Sequence, residues 1–244
     1  TPGVTLTGAV DRRGSSRVGQ DAGEVVGIGH LGVEIVDHIK VSSGAKSVIM
    51  DFTTPEASVA HMKEAAKSST PIVIGTTGLS SSQVRQIRKL ATKTAAVFAP
   101  NMSLGVNLLL DLVGEMARSL GDSYDVEIVE AHHRFKKDAP SGTALALARA
   151  AREALGYKPD RLGAIGRSGV SERKKTDIGV VSMRAGDIVG EHTVMFGGIG
   201  ERIELVHRTH SRDAFGHGAM RAAQWVVGKE NGLYGMQDVL RQSG

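Results

Sequence analysis

The stretch "EAHHRFKKDAPSGTA", Glu130 to Ala144, places two adjacent histidines and three basic side chains just ahead of a Ser-Gly-Thr step. The residues that follow, "LALARAAREAL", have helical spacing, so Ser141 stands where a helix would begin. A helix start presents unpaired N–H groups and the positive end of the backbone dipole. Setting His132, His133 and Lys136 beside it makes that neighbourhood a receptor for an anion. Histidine can give up a proton near neutral pH, and lysine supplies a compact positive charge. Together His132, His133, Lys136, Ser141, Gly142 and Thr143 describe a site that binds a di-acid and protonates it. The plainer readings are a satisfied core histidine for His132 and a solvated face for Lys136 and Lys137. Metal binding by the histidine pair is disfavoured, because neighbours on a strand point to opposite faces and no further ligand spacing accompanies them.

The elements around this stretch change character along the chain. In the first half, "VTLTGAV" (Val4 to Val10), "SVIMDFT" (Ser47 to Thr53), "PIVIGTTG" (Pro71 to Gly78) and "AAVFAPNMS" (Ala95 to Ser103) read as short strands. "PEASVAHMKEAAKSS" and "SSSQVRQIRKLATK" read as the helices between them, the second capped within Ser80 to Ser82. Strands alternating with helices predict an α/β fold with a doubly wound, Rossmann-like parallel sheet. After Ser103 come a long helix, "LGVNLLLDLVGEMARSL", and an alternating strand, "YDVEIVEAHH". The helix from Ser141 and a polar loop, "GRSGVSERKKTD", lead into three strand-like stretches with no helix between them: "IGVVSMRAG", "GEHTVMFGG" and "ERIELVHRTH". That grouping predicts a second, α+β domain on an open mixed sheet. The segment "DAFGHGAMRAAQWVVGK" reads as a helix returning to the first domain. The expected division is a dinucleotide-binding domain over 1–103, a substrate-binding and oligomerisation domain over 104–212, and the helical return over 213–244.

Composition narrows the partners. A net charge of +4 is too mild, and aromatics at 4% too few, for a nucleic-acid surface with basic and aromatic side chains interleaved, so a small anionic ligand is favoured. No apolar run approaches the roughly 20 residues that span a bilayer. The absence of cysteine rules out disulfides and a thiolate nucleophile and fits a cytoplasmic protein.

In a doubly wound sheet, ligands bind at the C-terminal ends of the strands. Asp11 and Arg12 follow the first strand-like run, where an acid would bond ribose hydroxyls and an arginine would accept a 2′-phosphate; an ordinary solvated turn is the alternative. "GTTG" (Gly75 to Gly78) and "APNMS" (Ala99 to Ser103) end two later strands and offer backbone groups to a flat ring, though ordinary turns look the same. "VVGIGHLG" matches G-x-G-x-x-G through Gly27, Gly29 and Gly32, but it follows Asp11 rather than preceding it and opens no helix, so it reads as loop.

The central stretch, extended to "EAHHRFKKDAPSGTALALA", closely resembles the signature of the dihydrodipicolinate reductases, the 4-hydroxy-tetrahydrodipicolinate reductases of lysine and diaminopimelate synthesis. "GAVDRRGS", "DFTTPE", "VIGTTG", "APNMSLGVN" and "GEHTVMFGGIGERIELVHRTHSRDAFGHGA" extend the resemblance over nearly the whole chain. It implies reduction of a cyclic, unsaturated dicarboxylate by NADH or NADPH, and a homotetramer built through the sheet of the substrate domain. It implies His132 as proton donor. His133, Lys136, Ser141, Gly142 and Thr143 would hold substrate, with Lys136 assisting at a carboxylate or in catalysis. Asp11 and Arg12 would meet the adenosine ribose, and Gly75, Thr76, Thr77, Ala99, Asn101 and Met102 would line the nicotinamide end. Thr54 stands in "DFTTPE" where some members carry arginine, and with Asp11 and Arg12 both present the expectation is use of both cofactors. The family pattern begins with a strand and a Gly-rich phosphate loop, and the sequence as given starts after them. A strand over Val4 to Val10 beside an empty sheet position is therefore expected. Two other readings are a related two-domain oxidoreductase such as diaminopimelate dehydrogenase, which ammonia dependence would reveal, and a binding protein without turnover, which a His132 substitution would separate from an enzyme.

Overall fold

The computed structural model describes residues 1–39, 46–158 and 165–241. It divides into two compact units, Thr1–Pro100 with Ala219–Val239, and Asn101–Gly218 with Leu240 and Arg241.

The first unit is built on parallel strands. β1 (Ala9–Val10), α1 (Ala22–Val25), β2 (Ile35–Val36), β3 (Ile49–Asp51), α2 (Pro55–Ser68), β4 (Ile72–Ile74), α3 (Ser81–Leu90) and β5 (Ala95–Phe98) follow in order. A four-stranded parallel sheet contains β3, β4 and β5, with a later strand added beside β5. Ile72 and Ile74 of β4 are fully buried, as a central strand covered on both faces requires. Helix α2 starts at an N-cap, Thr54, with Pro55 in its first turn, where a missing N–H costs nothing. Thr54 is thus occupied as a cap. Ser80 and Gln83 form a reciprocal capping box on α3. Met62, Ala65, Ile72, Ile74 and Ile87 are fully buried at the centre of the core these elements share.

The N-terminal segment differs from expectation. Only Ala9–Val10 of the Val4 to Val10 run is strand, and it pairs in parallel with Ile35–Val36 in a separate two-stranded sheet. A strand exists through its ladder, not its side chains. Val4 to Gly8 have no ladder partner, and Val4 and Leu6 are exposed. The "VVGIGHLG" segment is loop beyond the helical Val25, as expected. Gly27, Gly29 and Gly32 have φ of 75°, 91° and 72°, so their spacing serves the left-handed backbone. Asp21 organises it, accepting from the amides of Gly23, Glu24, Leu31 and Val33.

The second unit contains α4 (Leu104–Leu120), β6 (Asp125–His132), α5 (Gly142–Ala154), β7 (Ile178–Arg184), β8 (Gly190–Gly197) and β9 (Arg202–Thr209). Its sheet order is β7-β6-β8-β9, with β6 and β7 parallel and the other two pairings antiparallel. The alternating face of β6 buries Val126 and Ile128 with Ile178, Val180, Val194 and Phe196 against Val113 of α4 and Leu147 of α5. α6 (Asp213–Val226) leaves the second unit after Gly218 and supplies Ala219–Val226 to the first. β10 (Gly232–Tyr234) then pairs in parallel with β5, and α7 (Met236–Arg241) follows. Neither β2 nor β10 is legible in the sequence, each being too short to show a period. No helix among the described residues is long and apolar enough to cross a membrane.

Candidate active site

Within the second unit, the strand that ends in His132 and the helix that starts at Gly142 meet at one carboxylate. Glu130 and His132 lie two residues apart on β6 and so share a face. Glu130 is completely buried. Its Oε2 contacts His132 Nδ1 at 2.5 Å, and Oε1 accepts the Ser141 amide N–H at 3.1 Å. The guanidinium of Arg184 donates to both oxygens, each at 2.9 Å. Arg184 arrives there because β7 is paired in register with β6, His132 opposite Arg184.

Charge follows from this wiring. Burial pushes the Glu130 carboxyl up, but Arg184 and the hydrogen bonds from His132 and Ser141 overcome it and hold the group at about 2. Glu130 is therefore an anion. Burial pushes His132 down from its ordinary value, Glu130 pushes it up, and Lys136 and Arg184 push it down again, leaving it lowered. Behind it, the His192 ring meets the His132 ring edge-on with centroids 5.3 Å apart. Burial, then the charge of His132, drives His192 down to about 4, so it is neutral. A neutral His192 leaves His132 as the group able to carry the proton.

The start of α5 is partly committed. Ser141 Oγ caps the Ala144 amide at 3.2 Å and lies 3.3 Å from His192 Nε2, while its own N–H serves Glu130. The amides of Gly142 and Thr143, first-turn donors without intrahelical partners, point outward from the helix end. Thr143 Oγ1 accepts from Asn101 Nδ2 at 3.1 Å, which joins a residue expected at the nicotinamide end to one expected at substrate. Met102 is buried beside it in sequence. Lys136 is paired with Asp138 at 2.8 Å, so its ammonium is held rather than free. His133 follows the strand and, with Phe135, Gly186, Asp187, Val189 and Arg212, lines a cavity of about 430 Å³. Among the described residues no group of three or more potential ligands could hold a metal ion.

In the first unit, Asp11 stands at the end of β1 and Gly75 to Thr77 at the end of β4. Ala99 follows β5, its amide bonded to the Ile74 carbonyl. Parallel strands put the last two positions on one sheet edge, where Thr76 Oγ1 accepts the Thr53 amide at 2.9 Å. Asp11 accepts from the Ser15 hydroxyl and the Arg12 amide, each at 2.7 Å. Those two bonds hold its carboxyl below the ordinary range. An ionised acceptor with exposed Arg12 and Arg13 next to it fits a ribose with or without a 2′-phosphate. The strand end at Asp11 therefore fits the adenosine-ribose part of a nicotinamide dinucleotide.

Sequence reasoning missed Glu130, Arg184 and His192. Glu130 was within reach, since an acid two positions before a strand histidine must share its face. Arg184 and His192 come from β7 and β8, and only the strand register brings them in.

Comparison with known proteins converges on one family. The dihydrodipicolinate reductase N-terminal model matches residues 1–102, and the C-terminal model matches 105–240. The 4-hydroxy-tetrahydrodipicolinate reductase of Syntrophus aciditrophicus is 53% identical over 98% of this chain and 89% of its own. That of Alkalilimnicola ehrlichii is 51% identical over 98% and 90%. The dipicolinate-bound dihydrodipicolinate reductase of Paenisporosarcina sp. TG-14 superposes with a TM-score of 0.71 at 25% identity, covering 96% of this chain and 88% of that one. A buried carboxylate–histidine pair beside a helix start, a parallel sheet with an acid at a strand end and matches along both halves lead to one conclusion: the chain belongs to the dihydrodipicolinate reductase family, the NAD(P)H-dependent 4-hydroxy-tetrahydrodipicolinate reductases of lysine biosynthesis.

Proposed function

We propose that His132 is the proton donor of this reduction and that the start of α5 receives a substrate carboxylate. The observation that carries the reading is the hydrogen bond of His132 Nδ1 to the buried Glu130, beside the outward amides of Gly142 and Thr143. When bound, a nicotinamide cofactor would supply the hydride for the unsaturated ring. His132 then gives its proton to the site of developing negative charge, acting as general acid. Gly142, Thr143 and the Ser141 turn orient a carboxylate through N–H donors and the helix dipole. His133 and Lys136 supply positive charge toward the dicarboxylate, and Lys136 can exchange Asp138 for the stronger partner. The experiment is oxidation of NADH and NADPH with the substrate generated in situ from pyruvate and aspartate semialdehyde, followed for the wild type and for Gly142→Pro. Proline removes one amide, so the reading expects a raised substrate KM with cofactor KM unchanged; an unchanged substrate KM would count against carboxylate binding there.

Both nucleotides serve as reductant. Asp11 bonds the ribose hydroxyls of NADH, Arg12 neutralises the 2′-phosphate of NADPH, and Gly75, Thr76, Thr77, Ala99, Asn101 and Met102 meet the nicotinamide end. Asp11→Ala should raise the KM for NADH about tenfold while sparing NADPH, and Arg12→Ala should do the reverse, as expected for loss of one charge-assisted bond. Steady-state titration of each cofactor reads both. Equal effects on the two nucleotides would remove this division of labour.

The active assembly is a homotetramer in the cytoplasm, joined through the outer face of the mixed sheet. Support comes from Val181, Met183 and Val206, which are 45%, 51% and 45% exposed on that face. Apolar side chains at both margins of one sheet face, with Val129 and Thr193 in the row between Val181 and Val206, suit a two-fold interface. Met183→Asp should lower the mass seen by light scattering to that of a dimer or monomer. Retention of tetramer mass would place the interface elsewhere.

A further inference from the structure

We propose that Glu130 is a positioning residue for this reaction: its carboxylate fixes the His132 ring so that Nε2–H carries the transferable proton, and Gly190 leaves room for that edge of the ring. The proposal rests on His132 as proton donor and adds how this chain prepares it.

Three elements immobilise the carboxylate. It projects from β6, receives both guanidinium nitrogens of Arg184 from β7, and receives the Ser141 amide from the start of α5. Arg184 is itself tied down, donating to the carbonyls of Met183 and Asp138. An ionised carboxylate only accepts hydrogen bonds. Its contact with His132 Nδ1 therefore requires a hydrogen on Nδ1 in both states of the ring. The proton gained and lost must then sit on Nε2. At that atom a side chain is lacking: a Cβ on Gly190 would stand 3.1 Å from Nε2 and 3.5 Å from Cδ2. The other groups facing the ring are His192 from β8, which is neutral, and the cations Lys136 and Arg184. Both cations disfavour the imidazolium, and Lys136 is offset by Asp138. Glu130 is therefore the sole anion in contact with His132 among the described residues, and the imidazolium depends on it.

Glu130→Gln is nearly isosteric and keeps one oxygen for the Ser141 amide and one guanidinium nitrogen of Arg184, but it removes the charge, takes the acceptor from the other guanidinium nitrogen and can donate to Nδ1. The basic limb of the kcat/KM profile should move down by about one pH unit or more, as expected for loss of an adjacent opposite charge. Above that limb kcat/KM should fall roughly tenfold per unit moved. Glu130→Asp, which keeps the charge, should restore the limb toward its wild-type position even if kcat stays low. A purely structural role would lower activity without moving the limb. Gly190→Ala should lower kcat while leaving the limb in place, because the Nδ1 partner is intact.

The decisive readout needs no turnover. Long-range ¹H–¹⁵N NMR of the wild-type enzyme should find neutral His132 protonated on Nδ1, and Glu130→Gln should shift it to Nε2. A wild-type ring protonated on Nε2 overturns the proposal whether or not any variant folds, and so does an unmoved limb in a folded Glu130→Gln enzyme. If instead His132→Gln keeps full turnover, the proton-donor reading fails while the NMR result still reports on Glu130.

Discussion

Replacement of His132 by glutamine should lower kcat by about 10²-fold or more, the usual effect of a lost general acid. KM for NADH and NADPH should change little. Glutamine can still donate to Glu130, so the buried carboxylate keeps a partner and the fold should survive. The loss therefore reports on proton transfer rather than on an orphaned charge, whose cost is several kcal/mol. Steady-state kinetics with both cofactors, with folding checked by circular dichroism, is the test. Full turnover in a folded variant would exclude His132 from the chemistry. The same assignment fixes the sign of the pH response: an acid must be protonated to act, so activity should fall as pH rises through the His132 value in the complex. In the free enzyme burial displaces the His132 value downward, so the decline in kcat/KM should begin on the acid side of a free histidine.

The second large effect runs the other way and concerns stability. His192 is 4% exposed and its value is pushed from 6.5 to about 4 by burial and by His132. The unfolded chain binds a proton there below pH 6.5 that the folded chain refuses until about pH 4. Its contribution to stability is fully present above 6.5 and is lost as pH falls through that window. At roughly 1.4 kcal/mol per unit, the loss amounts to about 3 kcal/mol by pH 4, of which about 2 is gone by pH 5. Urea unfolding at pH 7.5 and pH 5 should show this decline, and His192→Gln should flatten it. An equally steep decline in the variant would assign the effect to other groups. Glu130 adds to acid lability only lower down, since its stabilisation is present above 4.5 and is lost toward about 2. Activity thus requires a histidine that takes up a proton, and stability requires its neighbour to stay neutral. The edge-on rings of His132 and His192 divide those roles across 5.3 Å.

Much of this was legible in the sequence, for local reasons. Ser141 and Ser80 announced helix starts because a short oxygen-bearing side chain before an apolar period can bond the orphan amides of a first turn, whereas the cap role of Thr54 emerged only in the structure. The run Leu104–Leu120 has a period that only a helix can bury, and its bounds matched the expectation. His132 and Lys136 stood out because basic groups before a helix start have a chemical use. The overextended strand over Val4 to Val10 marks where such reasoning stops: its side chains suit a sheet, yet a ladder needs a partner, and only Ala9–Val10 has one.

By itself the sequence determined the alternation of elements, the helix caps, the sheet class of each half and the cluster that carries charge to the start of α5. Each depends on contacts within a few residues or on a period read along the chain. The tertiary structure alone decided that Arg184 and His192 face His132, that Glu130 is buried between a guanidinium and an imidazole, and that the residue packed beside Nε2, Gly190, has no side chain to crowd it. Those residues lie some 50 or more positions from their partners, and their meeting depends on strand register, in which a slip of one residue turns every side chain to the opposite face.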